Sequence, residues 1–231
     1  MKTKNMVALM LATAMPALIH AQEKTLADPA HVELFNARNF CVLCNFNEAV
    51  LSPDTLYGAA HSNANISGTY VYDTMMDNLD LTFAFMYAIK GERFRITNSK
   101  VKMINLTYSD LPYFTFTNNI GELVNFTGSG LDYGNFRYAQ LDYPIFTGTA
   151  LEATDFTGAQ FKNAYFINTR MFNTNFTDAY LAGADFTDAN IKGANFTRAN
   201  LLDAKITEAQ LANSNVCDAI LPDGSRGECL A

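Results

Sequence analysis

The chain has 231 residues, 49% of them apolar and 17% charged, with no Trp and three His. That length fits one or two domains with a sizeable core. Twenty-three acidic against 16 basic residues leave a formal charge of −7, which argues against a protein that grips nucleic acid through a basic footprint.

The amino terminus reads as an address. Lys2 and Lys4 precede a 14-residue apolar run from Met6 to Ile19, and Ala21 marks a cleavage point. This is the pattern of a secretory signal peptide over residues 1–21, too short to span a bilayer, and no other stretch is apolar enough to span one. Its removal takes two lysines and leaves the chain at −9. Export leads to an oxidising space, periplasmic or extracellular, where cysteine pairs become disulfides.

Residues 22–38 are expected to form an N-terminal cap. Asp28-Pro29 is a helix start, with Asp as N-cap and Pro at the first position. Val32, Phe35 and Asn36 follow at helical spacing, so a short helix over 29–38 would lid whatever begins next.

From Cys41 the chain falls into a frame of five. Every fifth residue from 41 to 121 is apolar except His61, Gly91 and Gly121. Two residues earlier the frame wants a small side chain, found at Ala49, Ala59, Ala64, Thr69 and Thr74 but replaced by Leu79, Ile89, Phe94, Ile104, Phe114 and Val124. Residues 79–87 alternate like a plain strand. The span 77–125 therefore reads as degenerate repeats with wider, more β-like sides, or alternatively as an inserted hairpin.

From Phe126 to Leu221 the frame is unbroken. All twenty residues at this spacing are large and apolar, which a 49% background gives about once in a million trials. From Thr149 to Ala219 every position two residues earlier is Ala, Ser or Thr. Ala184-Asp185-Phe186-Thr187-Asp188 and Ala194-Asn195-Phe196-Thr197-Arg198 carry the consensus.

In extended chain, residues two apart face one side, so the small and the large residue both point inward and the one between points out. Five is odd, so the other two residues must bend the chain. Gly148, Gly158, Asn163, Asp178, Gly183 and Gly193 suit that bend. Each pentapeptide is one side of a coil, and coils stack about 4.8 Å apart. From 126 to 196 every tenth residue is Phe, and the interleaved ones are Leu, Ile or Met apart from Phe161. A 20-residue coil lets Phe stack on Phe along two opposite sides, whereas a 15-residue coil would put Phe on Leu. Four sides follow, in about nine coils from 41 to 221.

These residues resemble the pentapeptide-repeat family, whose signature is A(D/N)LXX. The resemblance covers roughly 39–225 and is strongest from 126 to 221. It implies an all-β fold, a right-handed four-sided parallel β-helix, followed by a tail over 226–231. The stretch Cys217 to Ser225 resembles a family terminus, and Cys41-Val42-Leu43-Cys44 resembles the opening seen in many members.

The candidate chemistry is sparse. A Cys217–Cys229 disulfide would close a 13-residue loop and tie down the tail, worth about 3 kcal/mol. Cys41 and Cys44 both point inward in the frame, as two thiols or as a local disulfide. They could form a Cys2His2 zinc set only with His31 and His61, and His61 lies a full coil away. With so few His and no nucleophile motif, no catalytic, cofactor-binding or metal residues are assigned. Asn125, Asn175 and Asn195 each open an Asn-Phe-Thr sequon that is simply the repeat phrase.

The outer surface offers more. At 20-residue spacing Asp155, Asn175, Asn195 and Asn215 share a column, with Thr157, Thr177 and Thr197 beside it and Asp178, Arg198 and Asp218 next. This is either a self-satisfying ladder or a flat binding platform. Asp185, Asp188 and Glu208 cluster on another side.

The leading expectation is a non-catalytic, exported protein that offers a rigid surface to a protein partner, as a monomer or weak dimer. Resemblance to members that mimic duplex DNA and inhibit gyrase supplies a second, and a secreted host-directed or surface-associated factor is a third. Fold alone does not choose among them.

Overall fold

A computed structural model of the chain describes residues 65–229, with backbone at Val50–Leu51 and Thr55–Tyr57. The expected signal peptide, the 29–38 helix, His31, His61, Cys41 and Cys44 lie outside the described residues.

The chain winds into a right-handed, four-sided parallel β-helix. Each turn is 20 residues, because every parallel bridge joins residue i to i+20. Side 1 runs from Val50 through Tyr70, Lys90 and Asp110 to Asn190. Side 2 runs from Thr55 through Met75 and Asp155 to Asn215. Side 3 runs from Asp80 through Ile120 and Gln140 to Ile220, and side 4 from Asn65 through Asn105 and Ile145 to Lys205. From Asn65 to Ile220 these ladders make a little under eight turns.

Most sides are too short to count as more than a single bridge. Longer strands occur on sides 1, 2 and 3. They are β1 (Val50–Leu51), β2 (Thr55–Tyr57), β3 (Tyr70–Tyr72), β4 (Met75–Asp77), β5 (Lys90–Glu92), β6 (Arg95–Thr97), β7 (Ile120–Glu122) and β8 (Gln140–Asp142). The span 77–125 thus stays in register with some widened sides, and no hairpin is inserted: Phe85 bridges Asn105, and Lys100 bridges Ile120. Residues 79–87 do not form the plain strand that their alternation suggests. Phe83 sits at φ 61° and turns the chain, so it is exposed while Leu81, Ala84 and Met86 point inward.

The interior follows the frame. Phe126, Phe146, Phe166 and Phe186 stack inside side 4 at 4.7–5.0 Å between neighbouring rings. Phe136, Phe156, Phe176 and Phe196 stack inside the opposite side 2 at 5.0–5.1 Å. The two columns meet edge to face across the centre, as in Phe146–Phe156 at 5.8 Å and 80°. Offset stacks and T-shaped contacts are the two favourable ring geometries, and this core uses both in alternation.

The small inward position has a second role. Its hydroxyls donate to the carbonyl of the large residue one coil back: Thr149 to Phe126, Thr154 to Leu131 and Thr174 to Leu151, at 2.8–3.1 Å. Thr and Ser thus sit in a dry core without an orphaned hydroxyl.

The carboxy-terminal end is closed by two devices. Helix α1 (Glu208–Leu211) replaces one side of the last coil. Thr207 caps it in a reciprocal box with Gln210, whose Nε2 also donates to the carbonyls of Phe186 (2.8 Å) and Ala189 (2.9 Å) in the coil beneath. The tail then turns at Pro222-Asp223-Gly224 and runs back antiparallel, with Ile220 bridging Arg226 and Gly227 donating to Ala219. Cys217 and Cys229 are joined. An open coil end would expose unpaired backbone, and the tail covers it.

Candidate interaction surface

The column on side 2 closes on itself. Asn175 Nδ2 donates to Asp155 Oδ1 (3.3 Å) and Thr157 Oγ1 (2.9 Å), and Asn195 repeats both bonds to Asn175 and Thr177. Asn215 continues to Thr197 at 3.1 Å. The Asp155, Asn175 and Asn195 oxygens also accept from the backbone N–H and hydroxyl of the Thr two residues on, Thr157, Thr177 and Thr197. This explains the consensus Asp/Asn-Phe-Thr in physical terms. The amide bridges coils, and the hydroxyl fastens the bend. The column is therefore the self-satisfying ladder and not an open platform, since its polar capacity is used internally.

The charges beside it pair as well. Arg198 holds Asp178 in a bidentate fork at 2.7 and 2.7 Å, and its hydrogen bonds keep that carboxyl below the usual carboxylate range. Asp218 is taken by Arg226 from the tail at 3.0 Å. Asp73–Arg93, Arg137–Asp155, Arg170–Asp132 and Lys102–Glu122 join neighbouring or next-neighbour coils elsewhere. Within the acidic cluster, Asp185 is met by Lys205 at 3.3 Å. Cys217, Asp218 and Cys229 lie together, but the two sulfurs are bonded to each other and do not form a ligand set.

Among the described residues, several exposed side chains are aromatic, and none of the sequence motifs singles them out. Tyr113 and Tyr133 stand on one corner with rings stacked at 5.3 Å, 57% and 51% exposed. Across side 2, on the next corner, Tyr138 is 52% exposed with Arg137 over its ring at 5.5 Å. All three occupy the bend position, with φ between 58° and 60°. A bulky residue in this left-handed region gives up roughly 1–2 kcal/mol. One signal was present in the sequence: Tyr stands at the frame position that takes Gly, Asn or Asp in most repeats from 148 to 193. The three rings flank a short polar strip of Thr115, Asn135 and Arg137.

The stretch 144–216 matches the family model described as the pentapeptide repeat region. Those residues are a pentapeptide-repeat region. Family members with solved structures resemble the chain. HetL of the cyanobacterium Nostoc, involved in heterocyst differentiation regulation, is 20% identical over 88% of this chain and 100% of its own, with TM-score 0.35. A pentapeptide-repeat protein of the Arabidopsis thaliana thylakoid lumen is 28% identical over 40% of this chain and 64% of its own, TM-score 0.35. QnrB1, a plasmid-mediated fluoroquinolone resistance protein, is 14% identical over 73% and 91%, TM-score 0.38. No curated protein matches the chain.

Proposed function

We propose that this chain is a non-catalytic, exported scaffold whose corner tyrosines dock a protein partner. The carrying observation is the contrast on side 2. The polar ladder satisfies itself, while Tyr113, Tyr133 and Tyr138 are left half-exposed at bend positions that small residues would fill at lower cost. Tyrosine supplies large, rigid contact area with little entropy to lose, and it is enriched in interfaces. Arg137 adds a donor beside the ring. The basic n-region and apolar run at the amino terminus support export.

Duplex mimicry at a topoisomerase has less support. It needs a continuous acidic face, and here the acidic columns are interrupted by Arg93, Arg137, Arg170, Arg198 and Lys205, each on a carboxylate. A DNA supercoiling assay separates the readings: the scaffold reading expects no inhibition of gyrase.

The direct test is crosslinking in cells followed by fractionation. A partner captured by the wild type from periplasm or medium should be lost, or weakened at least tenfold, when Tyr113, Tyr133 and Tyr138 are changed to Ala. The expected ΔΔG is roughly 2 kcal/mol or more for aromatic hot spots. Retention of the protein in the cytoplasm, or equal capture by the triple variant, would remove the proposal. Recovery from the medium alone would favour the host-directed or surface-associated form of it.

A further inference from the structure

Side 3 carries exposed groups that match one another end for end. Its outward ladder runs from Asp80 to Ile220 and has its midpoint between Gln140 and Gln160. Both amide side chains are exposed, and among the described residues neither has a hydrogen-bond partner. One rung out on either hand stand Ile120 and Tyr180, 59% and 40% exposed. Ile120 is the most exposed large apolar side chain among the described residues.

The column beside the ladder carries the charges. Lys102 and Glu122 pair at 2.6 Å across neighbouring coils. Asp142 and Lys162 are the next two members, exposed, of opposite sign and one on each side of the same midpoint. Their coils are neighbours too, because the Tyr143 N–H donates to the Lys162 carbonyl at 3.0 Å. Yet among the described residues neither charge has an ion-pair partner. An exposed charge costs little unpaired, so both stay available to an opposite charge from outside.

We infer that side 3 is a self-association face on which a second copy of this chain lies antiparallel. The two-fold axis lies in the face, across the coils, between Gln140 and Gln160. It sets Gln140 against Gln160 of the second copy, Ile120 against Tyr180 and Asp142 against Lys162, and it makes each contact twice. Charge fixes the register. Moving the second copy one rung either way sets Asp142 on Asp142 or Lys162 on Lys162. A parallel copy would set Lys100 against Lys102 and Ile120 against Glu122. In the antiparallel register no like charges meet along the ladder or the column beside it, and the alternatives are rejected by repulsion. The side is seven rungs tall, about 34 Å, and about 15 Å wide. Contact over all of it buries about 1,000 Å² from both copies together, the size of a weak, reversible interface. The Tyr113–Tyr133 corner lies away from this face, so the dimer and a partner docked at that corner are independent.

Sedimentation equilibrium of the purified full chain tests this, with charge reversal at exposed positions that leave the coil interior untouched. The wild type should exchange between monomer and dimer at about 10–100 μM. Asp142→Lys brings like charges together at both copies of the contact and should weaken dimerisation about tenfold or more. That change also reduces the net negative charge, so overall repulsion cannot account for the loss. Lys162→Asp should weaken it to a similar degree. The two reversals combined exchange the signs and should restore wild-type association, which damage to the fold would not do. Ile120→Ser should weaken it about tenfold with the thermal melt unchanged. A wild type that stays monomeric up to about 1 mM overturns the inference. So do single reversals that leave dimerisation unchanged, which would assign it to another face, and a double reversal that fails to restore it.

Discussion

At Gly91 the frame calls for a large inward residue and has none. A Cβ there would lie 1.7 Å from the Val71 carbonyl oxygen. The neighbouring inward positions hold Ile89 and Phe94, both fully buried where small residues are the rule. Bulk has been moved from the centre of the side to its flanks, and Gly121 beside Val124 repeats the exchange. Gly91→Ala should therefore destabilise by about 3 kcal/mol or more in denaturant melts, since the obstruction is backbone that cannot step aside. Gly148→Ala makes the control. Its Cβ meets nothing within 4 Å, and φ is +67°, so only the left-handed cost of about 1 kcal/mol applies. In the stacked core, Phe156→Ala removes a ring that touches Phe136, Phe176 and Phe161. It should cost about 3–5 kcal/mol, measured the same way.

Within single elements, the ion pairs on the corners connect one coil to the next, and their pH dependence has a definite sign. The Asp178 carboxyl is lowered in the folded chain, chiefly by hydrogen bonds from Arg198. Its contribution is full above the unfolded carboxylate value of about 3.9 and is lost as pH falls through the folded value. The pair is solvent-exposed, so the effect is small. Asp178→Asn should melt lower than wild type at neutral pH, and the gap should close as the pH falls below the ordinary carboxylate range, in scanning calorimetry. The carboxy-terminal cap contributes more than any one of these pairs. Replacing Cys217 and Cys229 by Ser should cost about 3 kcal/mol of loop-closure stabilisation and free the tail from its antiparallel pairing with 218–220, visible as faster hydrogen exchange at Gly227. The short α1 that shares this cap was legible in Thr207-Glu208-Ala209-Gln210, a capping box, yet the five-residue frame passes through it undisturbed at Ile206 and Leu211 and hides it.

Across the whole molecule, stability is a sum over coils and the contacts between neighbours. Register therefore matters more than length. Deleting 151–170 removes one whole turn and leaves every downstream residue on its own side. Deleting 151–155 removes only five residues but moves Phe156 over Leu131 and Asn175 away from its column. The shorter deletion should be the more destabilising, read as the midpoint of a denaturant transition.

The five-residue period by itself determined the inward and outward faces, the 20-residue turn and the two aromatic columns. These depend on side-chain parity and on like residues stacking upon like, both local properties. The carboxy-terminal disulfide was expected from the sequence, and Cys217 and Cys229 are joined. What only the tertiary structure decided depends on neighbours 20 residues away. It showed that the Asn and Asp columns spend their polar groups on one another and that Gly91 is matched to Val71. It also showed the corner tyrosines outside every ladder. A linear pattern specifies which way each side chain points, whereas the coil beneath it decides whether its bonds are satisfied.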